Sequence, residues 1–128
     1  MKVVLDTNVF ISGIFWKGSS NKVIMNWREG KFTLVISLET LSELIKVLKD
    51  FKIRLPDEII KEWMDIIIRN SIIIEPKVKM DVVKDDPKDN IFIEVAVAEN
   101  ADYIISQDNH LLKLKIFNGI KIISPEDF

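Results

Sequence analysis

Five acidic residues and their neighbours carry the chemistry this sequence can do. Asp6 closes a short apolar run, Lys2-Val3-Val4-Leu5, and Asp108 lies just beyond another, Tyr103-Ile104-Ile105-Ser106. Asp86 and Asp89 flank Pro87, and Glu43 sits among Leu41, Leu44 and Ile45. Carboxylates gathered at one place repel. At about 5 Å and an effective dielectric near 20, each like-charged pair costs roughly 3 kcal/mol. Protons or cations must then neutralise them. Oxygen donors without histidine or cysteine suit Mg²⁺ or Mn²⁺ rather than zinc or copper. Each acid also has a structural reading. Asp6 and Asp86 are well placed as turn or cap residues, Asp89 complements a helix dipole, and Glu43 can pair with Lys46 on a solvated helix face.

Whether these acids meet depends on the elements that carry them. Lys2–Asp6, Phe32–Ile36, Ser71–Ile74, Tyr103–Ser106 and Gly119–Ile123 read as strands, apolar on both faces. Between them run helical patterns. Ser19 or Ser20 is a candidate cap for a helix to about Glu29, ended by Gly30. Ser37 caps a long helix to about Lys52 with a stripe of Leu38, Leu41, Leu44, Ile45 and Leu48. Pro56-Asp57-Glu58 opens a helix to about Asn70, and Pro87 opens one through Ala98. Lys77–Asp86 reads as a polar loop, and Asp108–Leu112 as a turn into a short helix. Alternating apolar strands and helices predict a three-layer α/β/α sandwich with a mostly parallel sheet of four or five strands. Ligands of such sheets sit at the carboxyl ends of the strands, where Asp6 and Asp108 lie.

Composition narrows the field. A chain of 128 residues with 48% apolar and 30% charged side chains fits one domain, residues 1–128, and is not disordered. The absence of cysteine excludes thiol catalysis and zinc ribbons, and a single histidine, His110, excludes multi-histidine metal cages. A net charge of −2 does not mark a globally basic nucleic-acid binder. Apolar runs such as Ile66–Ile68 are far short of a membrane span, and no signal peptide precedes Val3, so a cytoplasmic location is expected.

Four segments, in order and with sensible spacing, resemble PIN-domain ribonucleases. They are Val3-Val4-Leu5-Asp6-Thr7-Asn8-Val9-Phe10-Ile11-Ser12, Ser37-Leu38-Glu39-Thr40-Leu41-Ser42-Glu43-Leu44, Asp86-Pro87-Lys88-Asp89-Asn90 with Ala96 and Ala98, and Ala101-Asp102-Tyr103-Ile104-Ile105-Ser106-Gln107-Asp108 with Leu111-Leu112. The resemblance covers essentially the whole chain. One departure is Gln107, where the family often has glycine. The resemblance implies a divalent-metal-dependent endoribonuclease acting on single-stranded RNA, and many such proteins are toxins of VapBC-like toxin–antitoxin pairs. It implies Asp6, Glu43, Asp89 and Asp108 as the metal-binding, catalytic acids. Asp6 and Asp89 are then the principal ligands, Asp108 binds directly or through water, and Glu43 orients water or holds a second ion. Asn8, Ser12, Ser106 and Asp86 are supporting positions.

Other residues extend this reading toward substrate and partners. Trp16, ahead of Lys17-Gly18, is the candidate for base stacking, whereas Trp27 and Trp63 fall in apolar helical patterns. Lys46, Lys49, Lys52 and Arg54 form a basic stretch able to hold phosphates or simply to solvate a helix. His110 reads as an exposed turn residue. Surplus isoleucines around Trp63 suggest a partner surface, and an antitoxin protein and a homo-oligomer are the expected partners. Two other classes remain in view. One is a metal- and RNA-binding module without cleavage activity. The other is a phosphatase-like phosphoryl-transfer domain, disfavoured because Asp6-Thr7-Asn8 lacks a second aspartate two residues on.

Overall fold

The computed structural model describes residues 1–50 and 55–128. Its elements in chain order are β1 (Lys2–Leu5), α1 (Thr7–Phe15), α2 (Ser19–Arg28), β2 (Thr33–Ile36), α3 (Leu38–Asp50), α4 (Asp57–Arg69), β3 (Ser71–Ile73), α5 (Asn90–Ala98), β4 (Tyr103–Ile105), α6 (Asn109–Leu112), β5 (Ile116–Phe117) and β6 (Ile120–Ile123). The strands form one sheet in the order β3-β2-β1-β4-β6-β5. The five strands expected from the apolar runs are parallel to one another. A sixth, the two-residue β5, pairs antiparallel with β6 at the edge, so the sheet has six strands rather than four or five.

The sheet is covered on both faces, as its apolar strands require. On one face Val3, Leu5, Leu34 and Ile36 pack with Phe10, Trp27, Leu44, Leu48 and Ile67 from α1 to α4. On the other, Val4, Val35, Ile104 and Ile122 pack with Phe92, Ile93 and Ala96 of α5 and with Leu111 of α6. β1 is central, and the strand order reverses between β1 and β4. That switch point opens a crevice at the carboxyl ends of these two strands.

Local details depart from the sequence reading at several points. The segment after Asp6 is a helix, α1, that no amphipathic stripe announces, because Val9, Phe10, Ile11 and Gly13 are all buried. Gly13 is required where α1 crosses α2: a Cβ there would stand 2.3 Å from Ile24 Cγ1 and 2.8 Å from the Ser20 carbonyl oxygen. Neither Ser19 nor Ser20 caps α2, which begins at Ser19 behind Gly18. Gly30 does follow its end, at φ +78°. Ser37 caps α3 as expected, its Oγ accepting from Thr40 N (3.1 Å) while Thr40 Oγ1 accepts from Ser37 N (3.0 Å). The extension of that helix to Lys52 lies outside the described residues. Pro87 opens not an α-helix but a single 3₁₀ turn, Pro87–Asp89, from which α5 continues. Among the surplus isoleucines of α4, Ile60 and Ile67 are buried and Ile68 is half-exposed. Among the described residues, no helix is long and apolar enough to cross a membrane.

Candidate active site

Two acids are delivered by the strand ends at the switch point. Asp6 follows β1 and is buried. Its Oδ1 caps α1 by accepting from Val9 N (2.9 Å), and its Oδ2 accepts from Ser106 Oγ. Ser106, fully buried beyond β4, also accepts from Asp108 N (2.9 Å) through the same hydroxyl. One serine therefore sets Asp6 and Asp108 relative to each other. Asp108 in turn caps α6, its Oδ1 accepting from His110 N (2.8 Å).

A third segment brings Asp86 and Asp89 to the same place. It is held by Asn90, a buried residue that sequence reasoning missed. Asn90 Oδ1 accepts from Val82 N (2.9 Å) and Val83 N (2.8 Å), and Nδ2 donates to Pro87 O (3.0 Å). The side-chain amide thus replaces a strand ladder for a loop with no sheet partner. Its signals are its place at the end of the Asp86–Asn90 motif and an amide at the start of a mostly apolar helix, Asn90–Ala98.

Carboxylate oxygens of Asp86, Asp89 and Asp108 lie within 4.8 Å of one another. Asp86, expected only as a supporting residue, belongs to this tight group, whereas Asp6 and Glu43 flank it. Burial, the adjacent Asp108 and the charges of Asp86 and Asp6 push the Asp89 carboxyl up to about 8. Asp108, which takes the charged role in the pair, is held below its ordinary range by Asp89 and by the His110 amide. Asp6 is raised chiefly by burial, against the bonds from Ser106 and Val9. Asp89 Oδ2 is buried with no hydrogen-bond partner among the described residues.

Glu43, half-buried on α3, is close enough to Asp6 to feel its charge. Burial first, and then Glu39 and Asp6, raise it, while Lys88 and Thr7 act against the shift. A groove lined by Glu39, Ser42, Glu43, Lys46, Lys88 and Ile91 runs beside it. Lys46 is therefore placed beside the acids, together with Lys88, which the sequence reading passed over. Lys49 is exposed but does not line the groove, and Lys52 and Arg54 lie outside the described residues.

A separate cavity of about 380 Å³ beside Asp108 is lined by Asn8, Ile11, Ser12, Trp16, Gln107 and Asp108. Asn8 and Ser12 thus border the site without bonding its acids. Gln107 does not crowd the turn into Asp108, because its Nε2 reaches away to Ser20 Oγ (3.0 Å). Trp16 is half-exposed, whereas Trp27 is buried and donates through Nε1 to Asn70 O (3.0 Å). Arg28 stacks on Trp63, 5.6 Å from its ring centre. His110 lies at the surface with its Nδ1 3.8 Å from Asp85.

Acids are thus presented from the ends of β1 and β4, from the turn before α5 and from α3. A family model, the PIN domain, matches residues 2–110. The chain belongs to the PIN-domain family. A PIN domain of this kind is also similar in fold to a chain in the crystal structure of VapBC2 from Rickettsia felis bound to a DNA fragment from their promoter. That likeness has a TM-score of 0.64 at 18% identity over 97% of this chain and 98% of that one. A search of curated proteins finds no significant match.

The acidic group of this PIN domain fits a divalent cation. Three carboxylates within 4.8 Å supply only hard oxygen donors. The buried Asp89 Oδ2 is an acceptor that no donor among the described residues satisfies.

Proposed function

We propose that the protein is a divalent-metal-dependent endoribonuclease that hydrolyses single-stranded RNA, and that it acts in the cytoplasm as the toxin of a toxin–antitoxin pair. The observation that carries this reading is the convergence of Asp86, Asp89 and Asp108 around an orphaned, buried Asp89 oxygen, with Asp6 and Glu43 beside them. Asp86, Asp89 and Asp108 would hold Mg²⁺ or Mn²⁺ through their carboxylate oxygens, and Asp6 would add its charge. When bound, the cation offsets phosphate charge and acidifies water. Glu43 orients the attacking water through its carboxylate. Lys46 and Lys88 bind the RNA phosphates next to it. Hydrolysis joins the water oxygen to phosphorus and breaks one phosphorus–oxygen bond to ribose, and the proton given up by the water ends on the released ribose oxygen. None of these steps asks His110 for a proton. The toxin assignment draws on the whole-length likeness to a chain of VapBC2, itself crystallised on promoter DNA; an antitoxin protein is the partner that likeness suggests.

The test is incubation of end-labelled single-stranded RNA with the wild type and with Asp89→Asn, in Mg²⁺ or Mn²⁺ and in chelator. Internal cleavage that stops in chelator and falls by orders of magnitude in the variant supports the reading. RNA binding with no cleavage under any metal replaces it with a binding module.

A further inference from the structure

Two hollows beside the acidic group differ in a way that sorts the parts of a nucleotide. The groove beside Glu43 carries Lys46 and Lys88, and so suits phosphate. The cavity of about 380 Å³ beside Asp108 has no cation among the described residues that line it. Among the residues that line it, a phosphate would find no side-chain cation. A neutral group is a different matter. Trp16 offers a half-exposed indole, and Ile11 adds apolar wall. Asn8 and Gln107 offer side-chain amides. With its Nε2 given to Ser20 Oγ, Gln107 keeps its carbonyl oxygen as an acceptor. A flat π surface, a hydrogen-bonding edge and no charge are the properties of a nucleobase, and the volume is at the small end of ligand sites, which run from about 300 Å³.

We infer that this cavity is a nucleobase pocket, in which a base of the bound RNA stacks on Trp16 and presents its edge to the Gln107 and Asn8 amides. The inference rests on the nuclease reading for the identity of the polymer. It adds a direction: the chain crosses the acids with its phosphates on the Lys46 and Lys88 side and one base turned toward Trp16. A base in a duplex is stacked and paired, so the pocket itself selects single strands.

Anisotropy of fluorescein-labelled RNA hexamers tests it, with Ca²⁺ in place of Mg²⁺ and the RNA checked for intactness on a gel. The hexamers are base-bearing or abasic, on the same sugar–phosphate chain. Trp16→Ala should weaken the base-bearing hexamer about 5- to 150-fold, the usual loss for one stacked base, and leave the abasic one unchanged. Trp16→Phe should restore most of the affinity. Gln107→Ala should flatten the ranking among A, C, G and U hexamers. Equal losses for base-bearing and abasic RNA, or no loss in Trp16→Ala, overturn the pocket while leaving the nuclease reading standing. Failure of the wild type to bind either hexamer overturns both.

Discussion

Asp89→Asn should stabilise the metal-free protein, although it removes a residue at the centre of the site. In the wild type the Asp89 carboxyl is carried from an ordinary 3.8 to about 8 by burial and by Asp108, Asp86 and Asp6. For a fully shielded group such a change corresponds to about 6 kcal/mol. Asp89 is only partly buried, and screening by water reduces the figure to about 2 kcal/mol. The direction follows from proton binding. The folded chain keeps a proton on Asp89 that the unfolded chain releases above about pH 4, so stability falls as pH rises from 3.8 to about 8 and then levels. The raised Asp6 and Glu43 carboxyls act in the same sense. Asp108 is lowered, so its contribution is lost only as pH falls below its ordinary 3.8, outside this window. Asparagine mimics the protonated acid: it carries no charge and keeps an N–H to offer Asp108. Urea unfolding in chelator should therefore find the variant about 2 kcal/mol more stable than wild type at pH 8, and the difference should shrink toward pH 5. The corresponding rise in Tm at pH 8 is about 6–10 °C. Parallel pH profiles for the two proteins would refute the idea that these carboxyls repel one another.

Three further outcomes follow from named contacts. Gly13→Ala should cost about 2 kcal/mol or more in urea unfolding, because the new Cβ meets the Ser20 carbonyl at 2.8 Å, a backbone atom that moves only if α2 does. Asn90→Ala should cost about 3 kcal/mol and speed amide exchange at Val82 and Val83, whose N–H groups lose their shared acceptor. Lys88→Ala should weaken RNA binding and reduce the salt slope of log Kd by about 0.7, the value for one lost contact to single-stranded phosphate.

Much of this architecture is written in local pattern, and the parts that are not share a cause. The five parallel strands were legible because each is apolar on both faces, and their carboxyl ends pointed to Asp6 and Asp108 before any contact was known. Ser37 announced α3 through ordinary capping chemistry. Helix α1 was invisible for the opposite reason. Val9, Phe10, Ile11 and Gly13 are all buried, so no polar stripe reveals its period, and Gly13 argues locally against a helix. Two-residue β5 is too short for any period. Within the site, the acids could be found from their type and from the motifs, but their grouping could not. Asp86 joins Asp89 and Asp108 because Asn90 folds the preceding loop back on itself, and Lys88 meets Glu43 across two elements far apart in sequence. Such contacts are set by tertiary packing and leave no mark on spacing.

Calorimetric titration of Mn²⁺ into the wild type and into Asp89→Asn tests the central claim, that these carboxylates form a cation site. At pH 7 the wild type should bind saturably and release close to one proton, read from the dependence of the heat on buffer, because Asp89 holds that proton until the metal displaces it. The variant should bind far more weakly and release none. No saturable binding by the wild type, or equal binding by both proteins, would contradict the account.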